Sequence, residues 1–431
     1  MRKSISRSGK SQVPRRLKRL IEAHQCVADM ESLETLLPML LDLARNVTNA
    51  EAASYMRYDP KQDILEFACA RDEVLGEEAA EILKKSVRLK MGEGIAGWVA
   101  QQRRSVIVKD ARNDPRFSVQ ADKCTGFVTR NLLSVPLVYG KELLGVINVI
   151  NSKEKPTFEQ EDEEVLECFA NLASTAIVRS RIFEARLRQQ KLEVQLEAAS
   201  QIQALFWPKL PEFGMGSHVW GVSVPAAFVG GDVYDIIPKN DGSWLVYVAD
   251  VSDKGLAAAL VMVALWTKLR DEGQTHEEVD ELLEVVNNDM YDLLAKEGFF
   301  ATIVVGRYWP ESGKMELARG GHLPPVWVAG DGLIEVPHIE GMTLGVVPDA
   351  RYEKKEIMLS PGESILLVTD GVTEAENEEG QLFGMSGLTE YLTRVKKPPY
   401  GKILLAEINE WRGNAQAADD LTMLEIWRDP P

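Results

Sequence analysis

A chain of 431 residues exceeds the usual size of one domain, so two domains and a connector are expected. Its 45% hydrophobic and 27% charged residues permit packed cores and exclude global disorder. A formal net charge of -17 excludes a general attraction for nucleic acid or anionic membrane, yet so many carboxylates are compatible with binding hard cations.

Residues 1–30 are basic through Arg2, Lys3, Arg7, Lys10, Arg15, Arg16, Lys18 and Arg19, with no apolar signal-peptide core behind them. They read as a flexible, solvated lead. From about Leu33 a helical face appears, with Leu36, Leu37, Leu40, Leu41 and Ala44 at helical spacing. Short strand-like runs follow at 53–57, 64–70, 105–108, 132–138 and 143–149, the last two joined through Tyr139-Gly140-Lys141-Glu142. Between them Gly92-Glu93-Gly94-Ile95-Ala96-Gly97-Trp98 makes a glycine-rich entry to a short helix. A mixed sheet flanked by helices is the expected form of this half.

Thr157, three residues before Gln160, reads as the capping box of the next helix. Apolar residues then recur at steps of three and four, with one phase break after Leu187, and no proline intervenes until Pro208. A helix over 158–207 would run roughly 70 Å. Its stripe, including Leu192, Leu196, Ala199 and Ile202, suggests a connector that pairs with a second copy of the chain. The alternative is a helix that breaks at the phase slip and folds back.

Beyond Pro211 strand signals recur at 244–249, 301–308, 314–318, 325–328, 364–368 and 422–427, with helices over 256–269 and 277–295. This pattern predicts an α+β domain of packed sheets under a helical cover. The longest apolar stretch, Leu256 to Trp266, is too short to span a bilayer. Cys26, Cys69, Cys124 and Cys168 form no C-x-x-C pair and read as buried free thiols in a reducing, cytoplasmic setting.

Four acidic clusters stand at strand ends or in the turns just after them: Gly230-Gly231-Asp232, Ala249-Asp250-Val251-Ser252-Asp253-Lys254-Gly255, Thr369-Asp370-Gly371 and Ala418-Asp419-Asp420-Leu421-Thr422. An ionised Asp at the end of a buried strand is costly unless compensated, and Lys254 is the only cation close in sequence. Divalent cations meet that need, and all-oxygen ligation selects Mg or Mn. Each motif alone is an ordinary turn sequence. Together they point to two-metal hydrolysis of a phosphate ester.

In that order these clusters closely resemble the PPM-type metal-dependent protein phosphatases, specifically the bacterial SpoIIE/RsbU-type serine phosphatases. The resemblance runs from about Ala198 to the C-terminus. It takes in Ile202-Gln203, Phe300-Ala301-Thr302, Gly321-His322-Leu323-Pro324-Pro325, Thr373-Glu374-Ala375 and Phe383-Gly384. It implies a β-sandwich with helices outside and two Mn or Mg ions. Asp250 would bridge the ions beside the Val251 carbonyl, Asp232 would serve the second, and Asp370 and Asp419 would complete the first. A metal-activated water would be the nucleophile, with no covalent phosphoenzyme. Either Asp419 or Asp420 is the ligand, the family pattern placing Asp419 first, and Asp253 and Asp420 are accessory candidates. Asp253 stands where the family usually has glycine, and Arg319-Gly320 replaces the usual Asn-Ala. His322 reads as structural, orienting a loop outside the metal shell.

Residues 31–182 resemble a GAF sensor domain through the segment at Gly92, Asp110-Ala111, Asp114-Pro115-Arg116-Phe117 and Ser134-Val135-Pro136-Leu137. Asn151, Phe158 and Asp162-Glu163 partly echo the cyclic-nucleotide motif, but Ser152 replaces its lysine, which favours a structural reading. The expectation is therefore a dimeric phosphatase, residues 208–431, acting on phosphoserine or phosphothreonine of a partner such as an anti-sigma-factor antagonist. An unidentified small-molecule or protein signal would act at the GAF domain. The alternative is a catalytically silent scaffold or a small-molecule sensor.

Overall fold

A computed structural model describes residues 33–72, 76–329, 332–395 and 397–431. The basic lead and Cys26 lie outside them. The chain divides into two compact units, Met1–Lys191 and Leu192–Pro431.

In the first unit, α1 (Leu33–Thr48) precedes the hairpin of β1 (Ala50–Asp59) and β2 (Ile64–Asp72). Then come α2 (Gly76–Ser86), β3 (Arg88–Lys90), α3 (Gly94–Gln102), β4 (Val106–Val108) and α4 (Gln120–Thr125). The hairpin of β5 (Leu132–Tyr139) and β6 (Glu142–Ser152) leads to α5 (Gln160–Gln203). The strands lie in the order β3-β2-β1-β6-β5-β4, and every pairing is antiparallel. The mixed sheet expected from sequence is corrected here, because links as short as those after β1 and β5 can join only antiparallel neighbours.

The strand period of two supplies a core on each face. Tyr55, Ile147 and Val149 pack with Leu36, Leu40, Phe169 and Ile177 of α1 and α5. Met56 and Val146 face Leu83, Ile95 and Val99 of the short helices. Each such fully buried side chain contributes about 1.5–3 kcal/mol.

The start of α5 departs from the expected capping box. The Thr157 hydroxyl is buried without a hydrogen-bond partner. Instead the Glu159 carbonyl accepts from the amides of Asp162 and Glu163 at 3.0 and 3.2 Å, and the Asp162 carboxylate reaches back to the Glu159 amide at 3.0 Å. Lys155 also pairs with that carboxylate at 3.3 Å, and the cap stands two residues beyond Thr157. Among the described cysteines none is fully buried: Cys69 and Cys124 are half-buried and Cys168 is exposed.

The second unit holds β7 (Ser217–Val224), β8 (Val233–Pro238), β9 (Trp244–Val251), α6 (Leu256–Thr275), α7 (Val279–Glu297), β10 (Ala301–Tyr308) and β11 (Lys314–Gly320). It continues with β12 (Val326–Val328), β13 (Ile334–Glu335), β14 (Lys354–Met358), β15 (Ser364–Val368), α8 (Asp370–Thr373), α9 (Gly384–Arg394), α10 (Tyr400–Arg412) and β16 (Leu421–Arg428). Two five-stranded antiparallel sheets form, β14-β11-β10-β9-β8 and β13-β12-β15-β16-β7. Their inner faces share one core, with Ile236, Val248, Val304 and Leu317 against Leu367, Leu424 and Ile426. The outer face of the first sheet packs under α6 and α7 through Tyr247, Met262, Leu265 and Leu283. The outer face of the second packs under α9 and α10 through Leu366, Met423, Leu388 and Leu404. This is an α+β domain in four layers. Among the described residues no helix is long and apolar enough to cross a membrane.

Candidate metal centre

Two of the four acidic clusters sit at strand starts rather than ends. Asp250 is the penultimate residue of β9 and Asp370 follows β15, whereas Asp232 and Asp419-Asp420 precede β8 and β16. Antiparallel pairing explains the convergence. Val233 lies opposite Ala249, and Val368 opposite Met423, so a start and an end meet at the same edge of each sheet.

Thr369 links the two sheets at that edge. Its buried hydroxyl donates to Asp232 Oδ2 at 2.8 Å and accepts from the Thr422 amide at 2.9 Å. Asp420, also buried, accepts from the amides of Ala226 and Gly231 at 2.8 and 2.7 Å, one on each oxygen. Its carboxylate thus organises the Gly230-Gly231-Asp232 loop. Only glycine permits that approach: a Cβ on Gly230 would stand 2.3 Å from Asp420 Oδ2, and one on Gly371 would stand 1.9 Å from the Asp420 carbonyl oxygen. Gln203, the last residue of α5, holds the Gly230 backbone through both its amide atoms.

Asp370, Glu374 and Asp419 each offer a carboxylate oxygen within 4.8 Å of the other two. Sequence reasoning gave Glu374 no role, although its spacing of four from Asp370 puts both on one face of a helical turn. Asp253 is exposed, with φ at 67°, a left-handed conformation that Asp tolerates. The Val251 carbonyl lies beside Gly231, where an added Cβ would approach it to 2.7 Å.

The electrostatics of this edge are unfavourable by themselves. Burial, then the charges of Asp370 and Asp419, push Asp250 up to about 7. Burial, then Asp250 and Asp420, raise Asp232 well above the usual carboxylate range. Asp370 is raised by burial, then by Asp419 and Glu374. Among the described residues one ion pair offsets this, Lys254 Nζ to Asp419 Oδ2 at 2.9 Å. Crowded oxygen donors with a deficit of positive charge fit hard divalent cations.

His322 is buried, and its Nδ1 meets Thr302 Oγ1 at 2.7 Å. Burial pushes its imidazole down to about 4, so it is neutral at pH 7. Thr302 is the register partner of Asp250, so His322 supports the strand beside the carboxylates. Asn151, of the partial cyclic-nucleotide echo, is engaged structurally. Its Oδ1 accepts from the Arg130 amide at 2.8 Å, and its Nδ2 donates to Glu51 at 2.8 Å and the Val128 carbonyl at 2.9 Å.

Residues 240–429 match the family model of stage II sporulation protein E (SpoIIE), and residues 30–178 match the GAF domain model. The chain is 27% identical over 265 residues to Protein IcfG of Synechocystis, a match covering 55% of this chain and 42% of that protein. It is 43% identical over 84 residues to a mouse (Mus musculus) cone cGMP-specific 3',5'-cyclic phosphodiesterase subunit alpha', covering 20% of this chain and 10% of the relative. The chain therefore spans less than half the length of either relative. Among solved structures it is similar to the SiaA-PP2C domain of Pseudomonas aeruginosa, at 21% identity and a TM-score of 0.49, covering 56% of this chain and 98% of that one.

Proposed function

Because this chain joins a GAF domain (residues 30–178) to a SpoIIE, PP2C-type phosphatase domain (residues 240–429), we propose that it removes phosphate from phosphoserine or phosphothreonine of a partner protein. The observation that carries this reading is the convergence of Asp232, Asp250, Asp370 and Asp419 at one edge of the sandwich, where burial and mutual repulsion raise the pKa of the first three. Asp250 would hold two Mn or Mg ions jointly, with the Val251 carbonyl beside it. Asp232 would serve one ion, and Asp370 and Asp419 the other. Two such ions, when bound, activate water and neutralise phosphoryl oxygens.

The chain's own residues act by position. Thr369 orients the Asp232 carboxylate, and Asp420 and Gln203 hold the loop that carries it. Ser252 locks the turn after Val251, its amide donating to the Phe300 carbonyl and its Oγ accepting from the Phe300 amide, both at 2.9 Å. Lys254 orients the Asp419 carboxylate through their ion pair at 2.9 Å.

The substrate we favour is a small phosphorylated regulator such as an anti-sigma-factor antagonist. The GAF domain would control the activity through a connector over about 158–207, paired with a second copy. Exposed Leu187, Leu192, Val194 and Ile202 on α5 support that pairing. The test is hydrolysis of a chromogenic phosphate ester with Mn, Mg or EDTA, comparing wild type with Asp250→Asn. Metal-dependent release that the variant lacks supports the hydrolase. Equal release by both removes Asp250 from the chemistry and with it this reading.

A further inference from the structure

A cleft of about 520 Å³ opens in the first unit at the end of the sheet where the β1–β2 and β5–β6 turns lie. Its walls carry Arg57, Arg103, Lys141 and Arg181 against two carboxylates, Asp59 and Glu142. In a chain of net charge -17 this is a local excess of positive charge.

The excess is incompletely neutralised. Arg57 shares Glu66 with Arg88, at 3.3 and 3.5 Å. Arg181 meets Glu142 only at 3.8 Å. Among the described residues neither Arg103 nor Lys141 has a carboxylate within ion-pair distance. Arg57 and Arg181 also act on one buried group: both pull the Tyr55 phenol down, against the burial that takes it up to about 12.

Arg103 gives an independent indication. It ends α3 with φ at 53° and ψ at 40°, in the left-handed conformation where helices usually place glycine. A long charged side chain is strained there. Its guanidinium crosses to the Lys141 carbonyl at 2.8 Å, which brings the two unpaired cations to the same wall.

We propose that this cleft binds a small ligand bearing at least two phosphoryl groups, held by Arg103, Lys141 and Arg181. Arginine forks match phosphate oxygens in pairs, and two unpaired cations call for a multiply charged anion. The volume is that of a small-molecule site. The chain's overall negative field opposes a polyanionic surface more than a small ion whose contacts are short-range. Arg181 belongs to α5, so occupancy would exchange its weak contact with Glu142 for the ligand and report the ligand to that helix.

The test is calorimetric titration of the full chain with inorganic pyrophosphate in EDTA, which denies the anion any metal at the carboxylate cluster. Wild type is expected to bind saturably at one site. Arg103→Gly and Lys141→Gln should each weaken binding about tenfold. Arg103→Gly relieves the left-handed strain, so its unliganded thermal midpoint should not fall, which separates lost contacts from lost folding. No saturable binding by wild type, or unchanged binding by both variants, overturns the proposal. Equal affinity for inorganic phosphate overturns the requirement for two phosphoryl groups.

Discussion

Gln203 holds Gly230 from both sides: its Nε2 donates to the Gly230 carbonyl at 2.6 Å and its Oε1 accepts from the Gly230 amide at 3.0 Å. The side chain is buried, and Gly230 stands two residues before Asp232. Only an amide side chain supplies a donor and an acceptor in this form. Gln203→Ala would leave two backbone groups unpaired, costing about 1–3 kcal/mol. The expected result is a higher Mn requirement, by about tenfold or more, in a chromogenic-ester assay. An unchanged metal titration would mean that the Gly230 clamp does not act on Asp232.

Neighbouring Asp419 and Asp420 should fail differently when replaced. Asp420→Ala strands the Ala226 and Gly231 amides and should lower stability by about 1–3 kcal/mol in urea unfolding without metal. Asp419→Ala loses a partly exposed pairing with Lys254, so metal-free stability should barely move while metal-dependent activity falls more than about tenfold. The opposite pattern would exchange their roles.

Metal-free stability should depend on pH through Asp250. Its pKa is raised by folding, so the native chain keeps a proton that the unfolded chain releases. That contribution is complete below about pH 4 and is lost as pH rises through about 7. Urea unfolding in EDTA should show the fall, and Asp250→Asn or saturating Mn should flatten it. A slope identical in the variant would remove Asp250 as its source.

Gly371→Ala tests the close approach behind Asp370. The new Cβ would stand 1.9 Å from a backbone oxygen, which cannot move as a side-chain end can. Destabilisation of about 1–3 kcal/mol and a lower thermal midpoint are expected. A midpoint equal to that of wild type would show that the Asp420 backbone can yield.

Much of this protein is determined by sequence alone. The β5–β6 hairpin, α6, α7 and strands β9, β10 and β15 follow from apolar runs bounded by turn residues, a local property. The acidic clusters were legible for the same reason, since an Asp at the edge of an apolar run stands out without any partner. Shorter or more polar elements such as α2, α4, β13 and β14 carry no such run, and only pairing or packing with neighbours defines them. Tertiary structure alone decided how the clusters meet, because antiparallel register sets a strand start beside a strand end. It separated Asp420, both of whose oxygens accept backbone amides, from Asp419, which adjoins Asp370 and Glu374. It also gave Gln203 its partner and gathered Arg57, Arg103, Lys141 and Arg181 around one cleft. Those relations join residues tens of positions apart, and sequence periodicity carries no information at that range.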